Sequence, residues 1–506
     1  MALGVVVVGA GAGSPRNAGP PLTAELLTKG RLAGPVVLRA NAAARGSRVV
    51  AVTFVLDGRA LGTDTTAPYA LDVDAALLPR GRHRLVAEAV DALGRRARSR
   101  SAAVTIGGRS LSAIVASPRR NLTRALAALR RGNVTVRLLP GRYTLREVEL
   151  GSGSRLIGSG PRTVIAPPDG AGYWALLVAK GRGIRVSNLA FDGGGPGPGE
   201  GIALAVFDGS RDVRLQRVQM RRVRGFGVSV WGAHDEVSVQ DSQIDGGGTA
   251  RAGVYALGSD ESRNTSVIRT RVRGFRDFGI LFEQREYRRP AAALHPVALD
   301  NVVSDVRDPA RAKCLQEPRE TPGCGTNEGG IWTGGVEAAI IGNVVRRTRW
   351  TGIETVGSST RTSVVGNDIA GARTGIYVER STNESLFSRN TITNVETGIN
   401  VEWKHGGGES DANRFSFNRI VDARDAGLFV DVGADTNRIV GNRFVRGARP
   451  VIILQGSSRN LVRANSACGR PGKDFVREQS ARWEDGAPAH SSNNLVGGNT
   501  SRSRCG

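Results

Sequence analysis

The sequence predicts an all-β protein: a small β-sandwich followed by a long β-solenoid that fills the chain from residue 108 onward. Three observations predict it. A glycine followed by an apolar residue, a free position and usually a second apolar residue recurs at Gly201, Gly227, Gly253, Gly279, Gly330, Gly352, Gly375, Gly398 and Gly427, with gaps of 26, 26, 26, 51, 22, 23, 23 and 29 residues. A row of asparagines, Asn343, Asn367, Asn390, Asn418, Asn442 and Asn465, keeps the same beat and closes a short β-run each time. Units of this length built from short strands and turns indicate a solenoid, and no helical period fits them. Ahead of the repeat, residues 35–106 alternate apolar and polar between turn pairs, as strands of a sandwich do.

Residues 1–34 are expected to be a leader and linker. Met1–Gly13 has an apolar core and a small-residue tail like an export signal, without the usual positive flank. Its Gly9-Ala10-Gly11-Ala12-Gly13 run is no dinucleotide loop, because prolines follow at 15, 20 and 21 where that motif needs a helix.

Residues 35–107 come next. Val49–Leu56 alternates and meets Asp57-Gly58, a hairpin turn pair, and further turns at 67–69, 80–84 and 91–94 suit about seven strands. The wording TFVLDGRALGTDTTAPYALDVD, followed by GRHRLVAEAVDALGR, resembles the bacterial immunoglobulin-like modules attached to secreted enzymes and surface proteins. That resemblance implies a spacer or weak binding module, with Asp57, Asp72, Asp74 and His83 as turn and surface residues.

The solenoid, residues 108–506, needs its ends covered, since bare strand edges template aggregation. The expected caps are 108–150 and 466–506. Asn121 opens a short amphipathic helix stopped by Gly132, with Leu122, Leu126 and Leu129 on one face. The succession LLPGRYTL, LIGSG and TVIAPP, with the coil repeat after it, resembles right-handed parallel β-helix proteins of the pectate-lyase-like superfamily. It implies a right-handed parallel β-helix of about 11–13 coils. That fold hosts lyases, hydrolases, epimerases and inert adhesins, so it assigns no chemistry.

Strand alternation sorts the residues after each repeat glycine. Those at +1 and +3 face the core, as Ile376, Val378, Ile399 and Val401 would. The outward +2 row then reads Ala203, Ser229, Tyr255, Leu281, Trp332, Glu354, Tyr377, Asn400, Phe429, and the +4 row Ala205, Trp231, Leu257, Glu283, Gly334, Val356, Glu379, Glu402, Asp431. These rows hold Trp231, Tyr255, Trp332 and Tyr377 in a chain with only six Trp and six Tyr. Sugar rings stack on such faces, so the four aromatics, with Glu283, are expected to bind substrate. A satellite core formed by loops folding back over them is the competing reading. The asparagine row is structural: a left-handed corner residue whose amides bond from coil to coil.

Glu379, Glu402 and Asp431 occupy equivalent positions on consecutive coils, with Glu354 on the coil before. Stacked carboxylates splay into water, bind a cation such as calcium through Glu379, Glu402 and Asp431, or divide into acid and base. Arg285, Arg380, Lys404 and His405 border the row, and His234 lies further off. The long coil between Gly279 and Gly330 carries two insertions, about Glu286–His295 and Ser304–Gly329, and a third follows Glu402 over Lys404–Asp411. Such loops would wall a groove between Tyr255 and Glu402. Two local cysteine pairs, Cys314–Cys324 and Cys468–Cys505, read as disulfides of an oxidising compartment, and no C-x-x-C spacing suggests zinc.

Net charge is +24, yet only five of the 70 basic residues are lysine and the arginines are scattered along the chain. That pattern reads as codon bias, not as a nucleic-acid footprint. No stretch approaches the roughly 20 apolar residues that cross a bilayer. The expectation is an extracellular or cell-surface monomer that binds and cleaves a polysaccharide, as hydrolase or lyase. Glu379 and Glu402 would lead the chemistry, with Glu354, Arg380, Lys404 and His405 around them and no cofactor beyond a calcium ion. Motifs of polygalacturonases, alginate epimerases and pectate lyases are absent, so no catalytic residue carries over from them. The alternative is a non-catalytic surface or carbohydrate-binding protein.

Overall fold

The computed structural model describes residues 21–107, 112–197, 201–258, 262–284, 295–307, 329–379, 381–402, 410–447, 451–469, 475–482 and 487–505. The export reading of Met1–Gly13, the Cys314–Cys324 pairing and most of the three insertions lie outside them.

The sandwich starts earlier than expected. Strand Leu22–Leu26 pairs antiparallel with Pro35–Ala44, and Gly30–Leu32 pairs with Ala102–Ile106, so Leu22–Leu32 belongs to the domain and not to a linker. A three-stranded sheet and a six-stranded sheet enclose Leu38, Phe54, Leu71 and Leu85. Asp57-Gly58 turns the hairpin from Val49–Leu56 into Arg59–Asp64, with φ of 48° and 81°. Asp57 holds His83 at 2.6 Å.

The sandwich is also not a spacer. Val50, Ala51, Val90 and Ala92 pack against Ile268, Val297, Leu299, Ala339 and Ile341 on the flank of the solenoid. Gln240 of the solenoid is fully buried and clamps one sandwich residue. Its Oε1 accepts from Thr63 N at 2.9 Å, while its Nε2 donates to Thr63 O at 2.7 Å. Gln216 Nε2 donates to Leu61 O at 2.7 Å, and Arg96 pairs with Asp300 at 2.6 Å. Buried amides that satisfy backbone groups across an apolar contact make one docked unit.

The solenoid has about twelve turns. Each turn contributes a strand to three parallel faces, as Ala339–Ile341, Val344–Thr348 and Thr351–Val356 do in sequence. Side chains alternate, so one set from all three faces fills a continuous core: Phe191, Phe275, Phe387, Phe415, Ile376, Val378, Ile399 and Val401 are buried there. The cap helix is Leu122–Arg131, stopped by Gly132, with Leu129 buried and Leu122 and Leu126 against the core. At the other end Leu495–Gly497 and Thr500–Arg502 continue the coil, and the Cys468–Cys505 disulfide fastens them.

Repeat glycines from Gly227 to Gly427 form a spine whose cause is close approach. A Cβ on Gly352 would lie 2.6 Å from Gly375 O and 2.4 Å from Ile369 Cγ2. Gly201 is not part of it. Its φ is +64°, a turn glycine, and Ala205, not Ala203, pairs with Ser229. Ala203 therefore faces the core, and the outward positions of that coil are Ala205 and Phe207.

Asparagine ladders stitch the corners. Asn301, Asn343, Asn367, Asn390, Asn418, Asn442, Asn465 and Asn499 form one run. In it each Oδ1 accepts both the backbone N–H and the side-chain Nδ2 of the preceding asparagine, all at 2.9–3.0 Å. Asn413, Asn437, Asn460 and Asn494 start a second run at another corner. The left-handed residue is not the asparagine itself. It is the one before: Gly342, Gly366, Arg389, Phe417, Gly441 and Ala464, with φ between 50° and 70°. The amide ladder holds that conformation even in Phe417 and Ala464, where it is strained.

Asn390→Ala should cost about 2–4 kcal/mol, because it strips partners from buried groups on both neighbouring coils. Native-state hydrogen exchange should show the loss confined to coils around 364–418. Uniform protection with an unchanged melting temperature would refute it.

Candidate functional site

The third face carries the predicted rows on its outer side. In register, Ser229, Tyr255, Leu281, Trp332, Glu354, Tyr377, Asn400 and Phe429 stack coil upon coil. Trp231, Leu257, Glu283, Gly334 and Val356 form the parallel row, and Glu379 pairs directly with Glu402 further down.

The upstream half is apolar. Trp174 meets Phe207 edge-on at 5.5 Å, Phe207 meets Trp231 at 5.8 Å, and Phe226 lies 5.1 Å from Tyr255. Phe278 lies 6.0 Å from Trp332. Trp231 and Tyr255 stay partly exposed, while Trp332 is packed with Leu281 and Val356. The indole covers Gly334, where a Cβ would come within 2.4 Å of Trp332 Cη2. Trp174, Phe207, Phe226 and Phe278 were not foreseen from the sequence. The signal for two of them lies just before the repeat glycines, at Phe226-Gly227 and Phe278-Gly279. That position shares the outward side, since Thr351, which precedes Gly352, bonds Glu354 there.

The downstream half is polar and tightly bonded. Glu354 is 3% exposed and accepts from Trp332 Nε1 at 3.2 Å and Thr351 Oγ1 at 2.9 Å. Tyr377 is 6% exposed, and its hydroxyl donates to Glu402. Burial first, then the charges of Glu379, Glu402 and Glu354, hold that phenol well above its ordinary range, so it stays a neutral donor. Asn400 Nδ2 also reaches Glu402, at 3.4 Å, and Asn400 Oδ1 is buried without a partner. The aromatics expected to stack on sugar thus divide. Trp231 and Tyr255 offer partly exposed rings, whereas Trp332 and Tyr377 are buried and give their polar edges to carboxylates.

Two expectations need correction. Asp431 accepts from Val432 N at 2.8 Å and Gln455 Nε2 at 3.1 Å, and no group of three His, Cys, Asp or Glu among the described residues could hold a metal, so calcium at Glu379, Glu402 and Asp431 is not supported. His234 is buried between Gly232 O at 2.9 Å and Thr265 Oγ1 at 2.7 Å, and burial lowers its proton affinity, which makes it structural. Arg285, Arg380, Lys404 and His405 fall outside the described residues.

Two family models match segments of the chain. Residues 28–87 match the bacterial Ig domain family, and residues 320–470 match the periplasmic copper-binding protein (NosD) family. Among solved structures, the catalytic domain of a family GH87 α-1,3-glucanase in complex with tetrasaccharides is similar at 13% identity, over 92% of this chain and 89% of that one, with a TM-score of 0.47. The A-module of the Azotobacter vinelandii mannuronan C-5 epimerase AlgE4 is similar at 16% identity, over 78% and 98%, with a TM-score of 0.38. Clostridium thermocellum CbhA fibronectin(III)-like modules match 17% of this chain at 22% identity and a TM-score of 0.16, and the chain spans 47% of their length. No curated protein sequence matches the chain.

The copper in that family's name does not fit the residues present. Copper favours thiolate, thioether and imidazole donors. Within 320–470 the sequence has only Cys324, His405 and Cys468 of those types, and Cys468 is consumed in a disulfide. No copper chemistry is derived from them.

Glu283, on the apolar side of the boundary, is raised above the ordinary glutamate range by burial alone. The folded state therefore holds its proton more firmly than the unfolded chain, and stability falls as pH rises from the ordinary glutamate range through the raised value. Glu283→Gln should raise the melting temperature at pH 7 and leave it unchanged at pH 4. Equal shifts at both pH values, or a lower melting temperature at pH 7, would contradict this.

Proposed function

We propose that this right-handed parallel β-helix protein, with its bacterial immunoglobulin-like domain, binds a polysaccharide along its third face and hydrolyses it at Glu379 and Glu402. One observation carries the reading: two glutamates sit at equivalent positions on adjacent coils, with a buried neutral tyrosine donating to one of them, where an aromatic strip ends. From Trp231 to Glu402 is six coil steps, roughly 29 Å at about 4.8 Å each. That length accommodates an extended chain of several sugars, with the partly exposed rings of Trp231 and Tyr255 as distal contacts.

Roles follow from hydrogen bonding. Glu402 accepts from Tyr377 and Asn400 and is assigned the nucleophile. Glu379 protonates the leaving glycosidic oxygen as Glu402 attacks the anomeric carbon. Glu379 then takes a proton from the water that hydrolyses the glycosyl ester. Paired strands lie about 4.8 Å apart, less than the roughly 6.5–9.5 Å carboxyl separation an inverting pair needs, so retention is expected. The unpartnered Asn400 Oδ1 would accept from a sugar hydroxyl. Glu354, bonded to Trp332 and Thr351, positions the strip. A site of action outside the cytoplasm is supported by the periplasmic family match, and no helix among the described residues is long and apolar enough to cross a membrane.

A lyase would instead draw its base from Arg380, Lys404 or His405. A non-catalytic surface or carbohydrate-binding protein is the other class, and with Trp332 and Tyr377 buried it would rely on the partly exposed rings of Trp231 and Tyr255. A polysaccharide panel separates the three. The hydrolase gives new reducing ends, no ultraviolet-absorbing unsaturated product and no loss with chelator. Glu402→Gln and Glu379→Gln should each lower kcat by about 10²–10⁴-fold, and Tyr377→Phe by less. Unchanged activity in both glutamine variants would move the site elsewhere. Binding without turnover across the panel would favour the non-catalytic class.

A further inference from the structure

A cavity remote from the glutamates lies in the seam between the sandwich and the first face of the β-helix, with a volume of about 410 Å³. Its two walls differ in chemistry. The sandwich wall offers Leu56, Leu71, Leu77 and Leu78, with Arg59, His83 and the carboxylates of Asp57, Asp72 and Asp74 among them. The β-helix wall offers Arg155, Arg185, Arg214 and Arg217. Two of those arginines are spoken for: Arg185 pairs with Asp212 at 2.6 Å and Asp72 at 3.3 Å, and Arg155 approaches Asp74 at 4.0 Å.

Arg214 and Arg217 are different. The Nε–H of each is buried with no hydrogen-bond partner, and neither has an ion-pair partner among the described residues. Asp212, Asp64 and Asp72 act on Arg214 only at longer range, against Arg185 beside it. Burial brings Arg214 down to about 10, still charged at neutral pH, and burial with Arg59 nearby lowers Arg217 as well. Two half-buried guanidiniums, each with a buried Nε–H that lacks a partner, leave a donor deficit at the cavity wall that an anion fills well.

We propose that this cavity binds a small amphiphilic acid, its apolar body on the sandwich leucines and its anionic head on Arg214 and Arg217. The volume falls in the range of small-molecule sites. Because both walls contribute, the ligand would bridge the domains and rigidify their seam. That role is independent of the glutamate row, so polysaccharide cleavage can fail without touching it.

Isothermal titration of the full chain with octanoate, 1-octanol and inorganic sulfate tests the proposal. Octanoate should bind one to one, at least tenfold tighter than either the neutral alcohol or the sulfate. Arg214→Gln with Arg217→Gln should weaken octanoate at least tenfold. Because that pair is half-buried in the seam, Leu77→Glu serves as a second variant: Leu77 is 49% exposed at the rim, and an added carboxylate there should weaken octanoate while leaving the melting temperature unchanged. Equal affinity for octanoate and octanol would mean an apolar hole alone, and equal affinity for sulfate an anion site alone. Either result, or wild-type affinity in both variants, overturns the proposal.

Discussion

The asparagine ladder is the interaction on which the rest depends. A coil of this solenoid turns a corner by placing one residue in the left-handed region, and that corner leaves buried backbone donors with no partner in their own coil. Each asparagine supplies an Oδ1 for the N–H of the coil before and an Nδ2 for a carbonyl, so every corner is satisfied by a neighbour. The coils are thereby locked to a common register, and the outward rows exist because of it. Glu379 stands beside Glu402 for the same reason that Asn367 stands beside Asn390.

Rigid register makes the third face a ruler with two chemistries. The upstream coils carry aromatics that pack on one another, and the downstream coils carry carboxylates with donors aimed at them. Trp332 and Tyr377 sit at the junction and belong to both. Trp332 buries its ring in the apolar strip, Tyr377 is buried between Glu354 and Asn400, and each gives its one polar atom to a glutamate, which is how a buried Trp or Tyr normally keeps its donor satisfied.

The docked sandwich uses the opposite side of the coil. The first face is apolar on its outer surface between Ile268 and Ile341, where Val297, Leu299 and Ala339 would otherwise meet water. Gln240 and Gln216 fix the register between the domains by bonding backbone groups of Thr63 and Leu61. Toward the cap the same seam changes from apolar to arginine-lined, and there it opens into a cavity.

The sequence alone determined the two-domain β architecture, the helix cap, the repeat and the pairing of Glu379 with Glu402. All of these follow from local period and strand alternation, which are properties of neighbouring residues. Tertiary structure alone decided what distant segments do to each other. It set Gly201 aside as a turn glycine, moved the left-handed position to the residue before each asparagine, and drew Leu22–Leu32 into the sandwich. It also gave Trp332 and Tyr377 to carboxylates and placed the sandwich against the β-helix. Strands 297–299 and 339–341 are apolar on both sides, a hint that their outer surface is covered. What covers them lies more than 200 residues upstream, and alternation carries no information about partners that far away.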